Sequence, residues 1–300
     1  MLNILITGSN SFLAVELIKI LDKSKYKVIG FDIDETSMNE IEYYCADLRD
    51  SNLNQIISQK IDILIHLGAV SNDPDCREDI KKCYDINLQG TLNLLKNFEN
   101  CGIKKIIFAS SEWVYEQKNN VIQNEKSIID FKQLKSHYSV TKLIDEYLLN
   151  DFCERKKIDL SILRFGILYG LRKSRWSAFE SLVHQVYKTK KSDIEVGSLS
   201  TGRNFLYVSD AALSIIKSFE IKNINILNIQ GPKFFTLSQI INYASNIVSK
   251  KINIHETNHN NPSIKKFSNK LSTKLLNWSP KFMPEKGIEI LIEYFNENNL

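Results

Sequence analysis

Tyr138 and Lys142 stand four residues apart in HYSVTK, residues 137–142. On a helix that spacing puts both side chains on one face. An ammonium beside a phenol draws the phenol's pKa down from ~10 toward neutral pH. A phenol tuned in this way is a usable general acid and base. Ser111 lies 27 residues upstream in FASSEWVYE, residues 108–116. From a strand end its hydroxyl can hold the same substrate oxygen in line. Together the three residues suit removal of a proton from an alcohol and its later return. Tyr-x-x-x-Lys alone is a common pattern, so its weight depends on what precedes it.

The chain opens with an apolar run, NILIT, followed by GSNSFLA at 8–14. A loop that cradles a dinucleotide needs a tight turn, backbone close to the pyrophosphate, and a helix N-terminus aimed at that charge. Gly8 supplies the turn, Ser11 is small, and Ala14 lets the helix lie close to the strand. Ser11, Phe12 and Leu13 then open the helix that faces the phosphates. Asp32 ends VIGFD, 24 residues after Gly8. A carboxylate there accepts both ribose hydroxyls of adenosine and repels a 2′-phosphate, and no arginine sits beside it, so NAD is favoured over NADP. Asp47 and Leu48, in ADLRD, are placed to flank the adenine. Leu67, Gly68 and Ala69 form the turn after the next apolar run.

These residues need strands and helices in alternation. Nearly continuous apolar runs predict strands at 3–7, 26–32, 42–47, 61–68, 104–110 and 159–165, as expected where both faces are buried. Helical patterns fall at 11–22, 78–100 and 137–156. Such βα units imply an α/β fold with a doubly wound parallel sheet, right-handed crossovers, and a ligand site beyond the carboxyl ends of the strands. After about residue 166 the rhythm changes. Helices are expected near 176–189, 209–220, 236–249 and 284–296, with strands near 193–196, 204–208 and 224–229. The division expected is a cofactor-binding domain over 1–165, with 204–230 returning to it, and a mainly substrate-binding lobe over 166–300.

Composition sets outer bounds. The 300 residues are 43% apolar and 25% charged, and 39 Lys+Arg nearly balance 35 Asp+Glu, leaving +4. The basic residues are scattered, which argues against nucleic acid. No signal peptide is recognised, and no apolar run approaches the ~18 residues of a membrane helix. Five cysteines without a CxxC pair read as reduced thiols in a cytoplasmic protein. HETNH at 255–259 mimics a zinc-protease pattern, but its surroundings have turn composition, so neither a helix nor a metal is expected there. His66 is expected to be a packed core residue.

With these motifs in order, the chain resembles the extended short-chain dehydrogenase/reductase family, in its NAD-dependent nucleotide-sugar epimerase/dehydratase group. The resemblance runs through TGSNSFLA, ADLRD, HLGAVS at 66–71, NLQGTLNLL at 87–95, ASS..VY and Tyr138-x-x-x-Lys142. It continues through LRFGILYG at 163–170, RNFLYVSD at 203–210 and KLLNWSPK at 274–281. It implies a Rossmann-like sheet and hydride transfer from a sugar carbon to NAD. Tyr138 is then the acid/base, Lys142 binds the nicotinamide ribose, and Ser111 polarises the substrate oxygen. Asn87 stabilises the active-site helix region. Arg203 contacts the substrate's diphosphate, and Ser71, Glu112 and Trp113 line the sugar site. A homodimer pairing the helices near 78–100 and 137–156 is implied as well.

Three fates are open to the keto-sugar. It can be reduced on its other face (epimerisation), lose water, or be released by a net dehydrogenase or 4-keto-sugar reductase using NAD(P). Family dehydratases carry an acid where this chain has Trp113, which argues against water loss. Nucleotide-sensing relatives typically lose the tyrosine–lysine pair that this chain keeps. Ile167 replaces an asparagine that commonly helps hold the diphosphate. Epimerisation of a nucleotide sugar is the reaction expected.

Overall fold

A computed structural model describes residues 1–53, 60–115, 121–189 and 193–300. Seven strands form one parallel sheet: β1 (Leu2–Thr7), β2 (Tyr26–Asp32), β3 (Glu42–Cys45), β4 (Ile63–His66), β5 (Lys105–Ser111), β6 (Asp159–Phe165) and β7 (Ile224–Ile229). Their order across the sheet is β7-β6-β5-β4-β1-β2-β3. The order reverses between β1 and β4, where Thr7 pairs with His66. That reversal opens a crevice at the carboxyl ends of the strands. Alternation explains why the strands read as continuous apolar runs. Ile4 and Ile6 pack into the core on one face, while Leu5, Ile29, Phe31 and Phe108 pack on the other.

Helix α1 (Phe12–Ile20) follows β1. It packs against the helix Val208–Lys217 on the face that carries the larger core. The expected helix over 78–100 is found as a continuous helical run from Ile80 to Phe98 that widens into a π turn at Asp85–Gln89, and a separate short helix, Asp73–Glu78, precedes it. Each starts on its own cap: Asn72 accepts the Asp75 amide at 2.8 Å, and Asp79 accepts the Lys82 amide at 2.8 Å. Helix α2 (His137–Lys156) runs unbroken, capped by Ser136 and closed by Lys157 in the left-handed region.

Beyond β6, helices Ala178–Lys188, Leu237–Ile247 and Pro284–Asn298 pack together, with Tyr169, Phe179, Phe205 and Phe295 fully buried among them. The expected strand at 204–208 divides into Gly202–Arg203 and Leu206–Tyr207, which pair with different partners. HETNH begins on a strand, Asn253–Glu256, paired with Asp193–Val196, so its histidines share no helix face. The closing KLLNWSPK segment docks on Asp210, whose carbonyl accepts the Trp278 indole at 3.0 Å and whose carboxylate accepts the amides of Lys281 and Phe282.

One expectation is corrected. Cys76 and Cys83 are not free thiols but form a disulfide, with Cα atoms 5.0 Å apart. The turn at Asp79 folds the short helix back on the start of the run from Ile80 and brings the sulfurs together in a fully buried position. Cys45, Cys101 and Cys153 are free. Among the described residues, no helix is long and apolar enough to cross a membrane.

Candidate active site

The loop after β1 turns at Gly8, whose φ of +67° is a conformation side-chain-bearing residues avoid. A Cβ there would stand 2.7 Å from the backbone of Gly68 across the crevice. The two loops that border the switch point therefore touch backbone to backbone. Ser11 caps α1 through the Ala14 amide at 3.4 Å. The serine thus does a helix cap's work in a position where the loop pattern favours glycine. Leu13 sends its side chain into the core. What it can offer a phosphate is an amide of the first helical turn, which has no partner within the helix. Phe12 lies under the Arg172 guanidinium, 4.3 Å from ring centroid to Cζ.

Asp32 ends β2 at the same edge. Its carboxylate accepts the amides of Asn10 at 2.9 Å and Ile33 at 2.8 Å, which fixes it at the loop. Asn10 also bonds Asp34 and the Met38 amide, tying the two strand ends together. Nothing in the spacing of Asn10 singled it out. Asp47 is held by Arg49 in a two-point pair, and Leu48 is buried against Gly68 and Gly90. The Thr7 hydroxyl accepts the amides of Leu67 and Gly68, and Ala69 follows in the same turn. His66 is buried between Thr7 and Thr91, and burial pushes its pKa down to about 3, so it stays neutral.

Asn87 sits in the π turn. Its side chain accepts the Val70 amide at 2.8 Å and donates to Thr141 at 2.9 Å. It clamps the turn after β4 to α2 between Tyr138 and Lys142. Ser71 is exposed at the start of that clamp.

Ser111 ends β5, buried, and its hydroxyl accepts the Trp113 amide at 3.3 Å. It lies near Tyr138 and favours the ionised form of that phenol. The Trp113 ring, 39% exposed, meets Tyr138 edge-on with centroids 6.5 Å apart. The structure therefore brings Ser111, Trp113, Tyr138 and Lys142 to the carboxyl end of β5. Glu112 is buried beneath them, 3.5 Å from Nε of Arg203. Arg203 donates to the carbonyls of Gly202 and Ser263 and to the Ser263 hydroxyl. Burial pushes Glu112 up to about 7, against the pull of Arg203.

The expected effect of Lys142 on Tyr138 is not found. Burial raises the phenol to about 12, with Glu112 adding to the rise and only the nearby Ser111 hydroxyl opposing it. The physical reason is the direction of the lysine. Its ammonium lies 4.6 Å over the Phe108 ring and is drawn toward Asp145 and Glu146, a turn further on. Burial lowers Lys142 itself to about 8.

A second buried charge network stiffens the site from behind. Arg164 of β6 grips Glu146 of α2 with two hydrogen bonds, at 2.9 and 2.6 Å, and Ser110 bonds the same carboxylate. Sequence spacing did not signal this pair, because it joins a strand to a helix 18 residues away.

Residues 4–229 match the NAD dependent epimerase/dehydratase family. That is well over half of the chain, and the protein belongs to this family. A putative UDP-glucose 4-epimerase of Methanocaldococcus jannaschii is 26% identical over 307 residues, spanning 99% of each chain. The crystal structure of the UDP-glucose 4-epimerase of Thermotoga maritima with UDP-glucose shares the fold at a TM-score of 0.88, with 22% identity and all of both chains covered. The UDP-glucuronic acid 4-epimerase of Bacillus cereus in complex with NAD aligns at a TM-score of 0.84, 25% identical and likewise end to end.

Proposed function

We propose that the protein is an enzyme that epimerises a nucleotide sugar through a transient keto-sugar, with NAD held throughout the cycle. The observation that carries the reading is the convergence of Ser111, at the end of β5, with Tyr138, whose ring lies edge-on to Trp113, beside the switch-point crevice. The crevice fits the cofactor. The Gly8–Gly68 approach leaves no room for side chains where a pyrophosphate must pass, and the α1 N-terminus and Asp32 border the same loop. Gly8, Ser11, Phe12 and Leu13 would hold the phosphates and Asp32 the adenosine ribose. Asp47, Leu48, Leu67, Gly68 and Ala69 would line the adenine and the middle of the dinucleotide. Bound NAD supplies a hydride acceptor that becomes the donor on the return step.

The chain's own residues handle the proton. The ionised Tyr138 oxygen takes it from the sugar hydroxyl as the C–H bond gives up its hydride, which leaves a ketone; the phenol of the free protein, kept neutral by burial, must lose its own proton before that step. Ser111 holds that oxygen in line, and the same phenol returns the proton once the ketone has turned over. Lys142 holds the nicotinamide ribose, and Asn87 keeps its helix in register with the turn after β4. Ser71, Glu112, Trp113 and Arg203 would shape the sugar and diphosphate end. Trp113 occupies the position at which a dehydratase needs an acid, and Glu112 is turned toward Arg203, so water loss is disfavoured.

We read residues 1–165 with 204–230 as the NAD-binding part and the remainder as the substrate lobe. A homodimer fits the exposed Leu92 and Tyr147 (73%) on the helices expected to pair. We place the enzyme in the cytoplasm on the family resemblance, although the Cys76–Cys83 disulfide is a bond that a reducing compartment disfavours. A thiol count on protein alkylated at lysis checks that placement.

The reaction is tested by incubating the purified protein with a panel of nucleotide sugars, following product mass, isomer composition and the absorbance of reduced cofactor. An isomer of unchanged mass without net NADH is the expected result. Loss of one water would reassign the enzyme to dehydration. Stoichiometric NADH would reassign it to net redox chemistry.

A further inference from the structure

The segment DPDCREDIKKCYDIN, residues 73–87, carries two cysteines seven apart and an asparagine four beyond the second. The helix Asp73–Glu78 has six residues, too few to hold together by itself in water. The Cys76–Cys83 bond ties it to the start of the run from Ile80, with both sulfurs fully buried. The link between them, residues 77–82, is exposed throughout.

This cross-linked fold-back grips the start of α2 on both sides of its cap. Arg77 donates to the Lys135 carbonyl at 2.8 Å, one residue before the capping Ser136. The Tyr84 hydroxyl meets Nδ1 of His137 at 3.3 Å, and the two rings pack edge to face. Tyr138 is the next residue. The sulfurs themselves lie on the Asn87 clamp. Nδ2 of Asn87 has two hydrogens and three acceptors around it: Oγ1 of Thr141 at 2.9 Å, the Val70 carbonyl at 3.2 Å and Sγ of Cys83 at 3.8 Å. Sγ of Cys76 stands 3.9 Å from the same Val70 carbonyl. In the disulfide that sulfur has no hydrogen to give. As a thiol it has one, and it then competes with Asn87 for Val70.

We propose that Cys76 and Cys83 are a redox-sensitive modification site, a thiol–disulfide pair whose closed form holds the first turn of α2, and with it Tyr138, in working position. The reagent is a low-molecular-weight disulfide of the glutathione type. Its S–S bond breaks as the protein's forms, the two protein thiols are oxidised, and their two protons leave on the two small thiols released. Reduction is the same exchange run backwards. Local opening of the six-residue helix uncovers the sulfurs without unfolding the sheet. The inference rests on the epimerase reading only for what Tyr138 does; the bond and its contacts stand without it.

The test equilibrates purified protein in glutathione buffers from fully reduced to fully oxidised. Differential alkylation and peptide mass spectrometry report the pair apart from Cys45, Cys101 and Cys153. Hydrogen exchange is read on the same samples without sugar. Reduction should speed exchange across residues 135–141 by about tenfold or more, with the amides of β1 and β2 unmoved. Exchange that ignores the state of the pair overturns the inference, and so does a pair that never opens or never closes. In turnover assays, reduction should lower kcat by about tenfold or more, because a displaced acid/base is costly, while KM for the nucleotide sugar and NAD content change little. Reoxidation should restore the rate. Equal kcat in both states would mark the bond as merely structural. Cys83→Ser should hold the reduced rate in every buffer; a variant that still responds would place the sensor elsewhere and sink the proposal. Where that variant does not fold, reduced wild type carries the same test. If no sugar yields product, the epimerase reading fails while the exchange measurement still decides the latch.

Discussion

The two ends of the proposed NAD site are built from different materials. At the adenosine end, Gly8, Ser11 and Asp32 work through backbone geometry, a helix cap and a carboxylate fixed by two amides. At the catalytic end, Lys142, Asp145 and Glu112 are ionisable groups taken out of water, Tyr138 is half-buried, and burial is the first cause of every shift there. Recognition of a permanently charged pyrophosphate needs only fixed dipoles. Moving a proton needs groups poised between two charge states, and burial with selective pairing provides that poise.

The sharpest way to break the comparison is Tyr138→Phe. Removing the phenol should cut turnover by about 10²–10⁴-fold while the protein still purifies with NAD, because the adenosine end is untouched. Loss of cofactor along with activity would show that the two ends are not independent. Gly8→Ala attacks the other end. The left-handed backbone costs about 1–2 kcal/mol, and the new methyl meets the Gly68 backbone, so NAD affinity should fall at least about tenfold. Cofactor content and thermal melting measure it. Asp32→Ala should weaken NAD by roughly ten- to a hundredfold, about 1.5–3 kcal/mol for hydrogen bonds to a charged group, and relax discrimination against NADP. Paired titrations with the two cofactors decide that.

The smallest effect concerns Glu112. A carboxyl whose pKa is raised in the folded state, here from 4.5 to about 7, binds its proton more tightly folded than unfolded. Its stabilising contribution is full below about 4.5 and is lost as pH rises through about 7. Glu112→Gln escapes that loss, so its melting temperature relative to wild type should climb between about pH 5 and pH 8. A flat or falling difference would mean that the Arg203 pairing outweighs burial.

Much of the scaffold was legible because strand alternation, glycine turns and helix spacing are local signals. β2 and β6 begin and end where their apolar runs do, and α2 spans the expected 137–156. The helix expected over 78–100 runs from Ile80 to Phe98; what the apolar spacing did not show is the π turn at Asp85–Gln89 and the cap at Asp79, which depends on a single side chain. The Cys76–Cys83 bond was missed for a related reason: only the fold-back at Asp79 brings two residues seven apart within reach. Tyr138, Lys142 and Ser111 could be found by spacing, but the charge balance around them could not. Glu146 is neutralised by Arg164 across the sheet, whereas Asp145 has no guanidinium beside it. That distinction exists only in three dimensions.

The strand Ile224–Ile229 completes the sheet against β6, yet the ribosome makes it about 60 residues later. At roughly 5–20 residues per second, the nascent chain carries the open border of Asp159–Phe165 for several seconds. Through that interval a row of unpaired peptide groups is available to any passing strand. Chains cut before residue 224 prolong the interval indefinitely and should precipitate rather than yield a soluble half-enzyme.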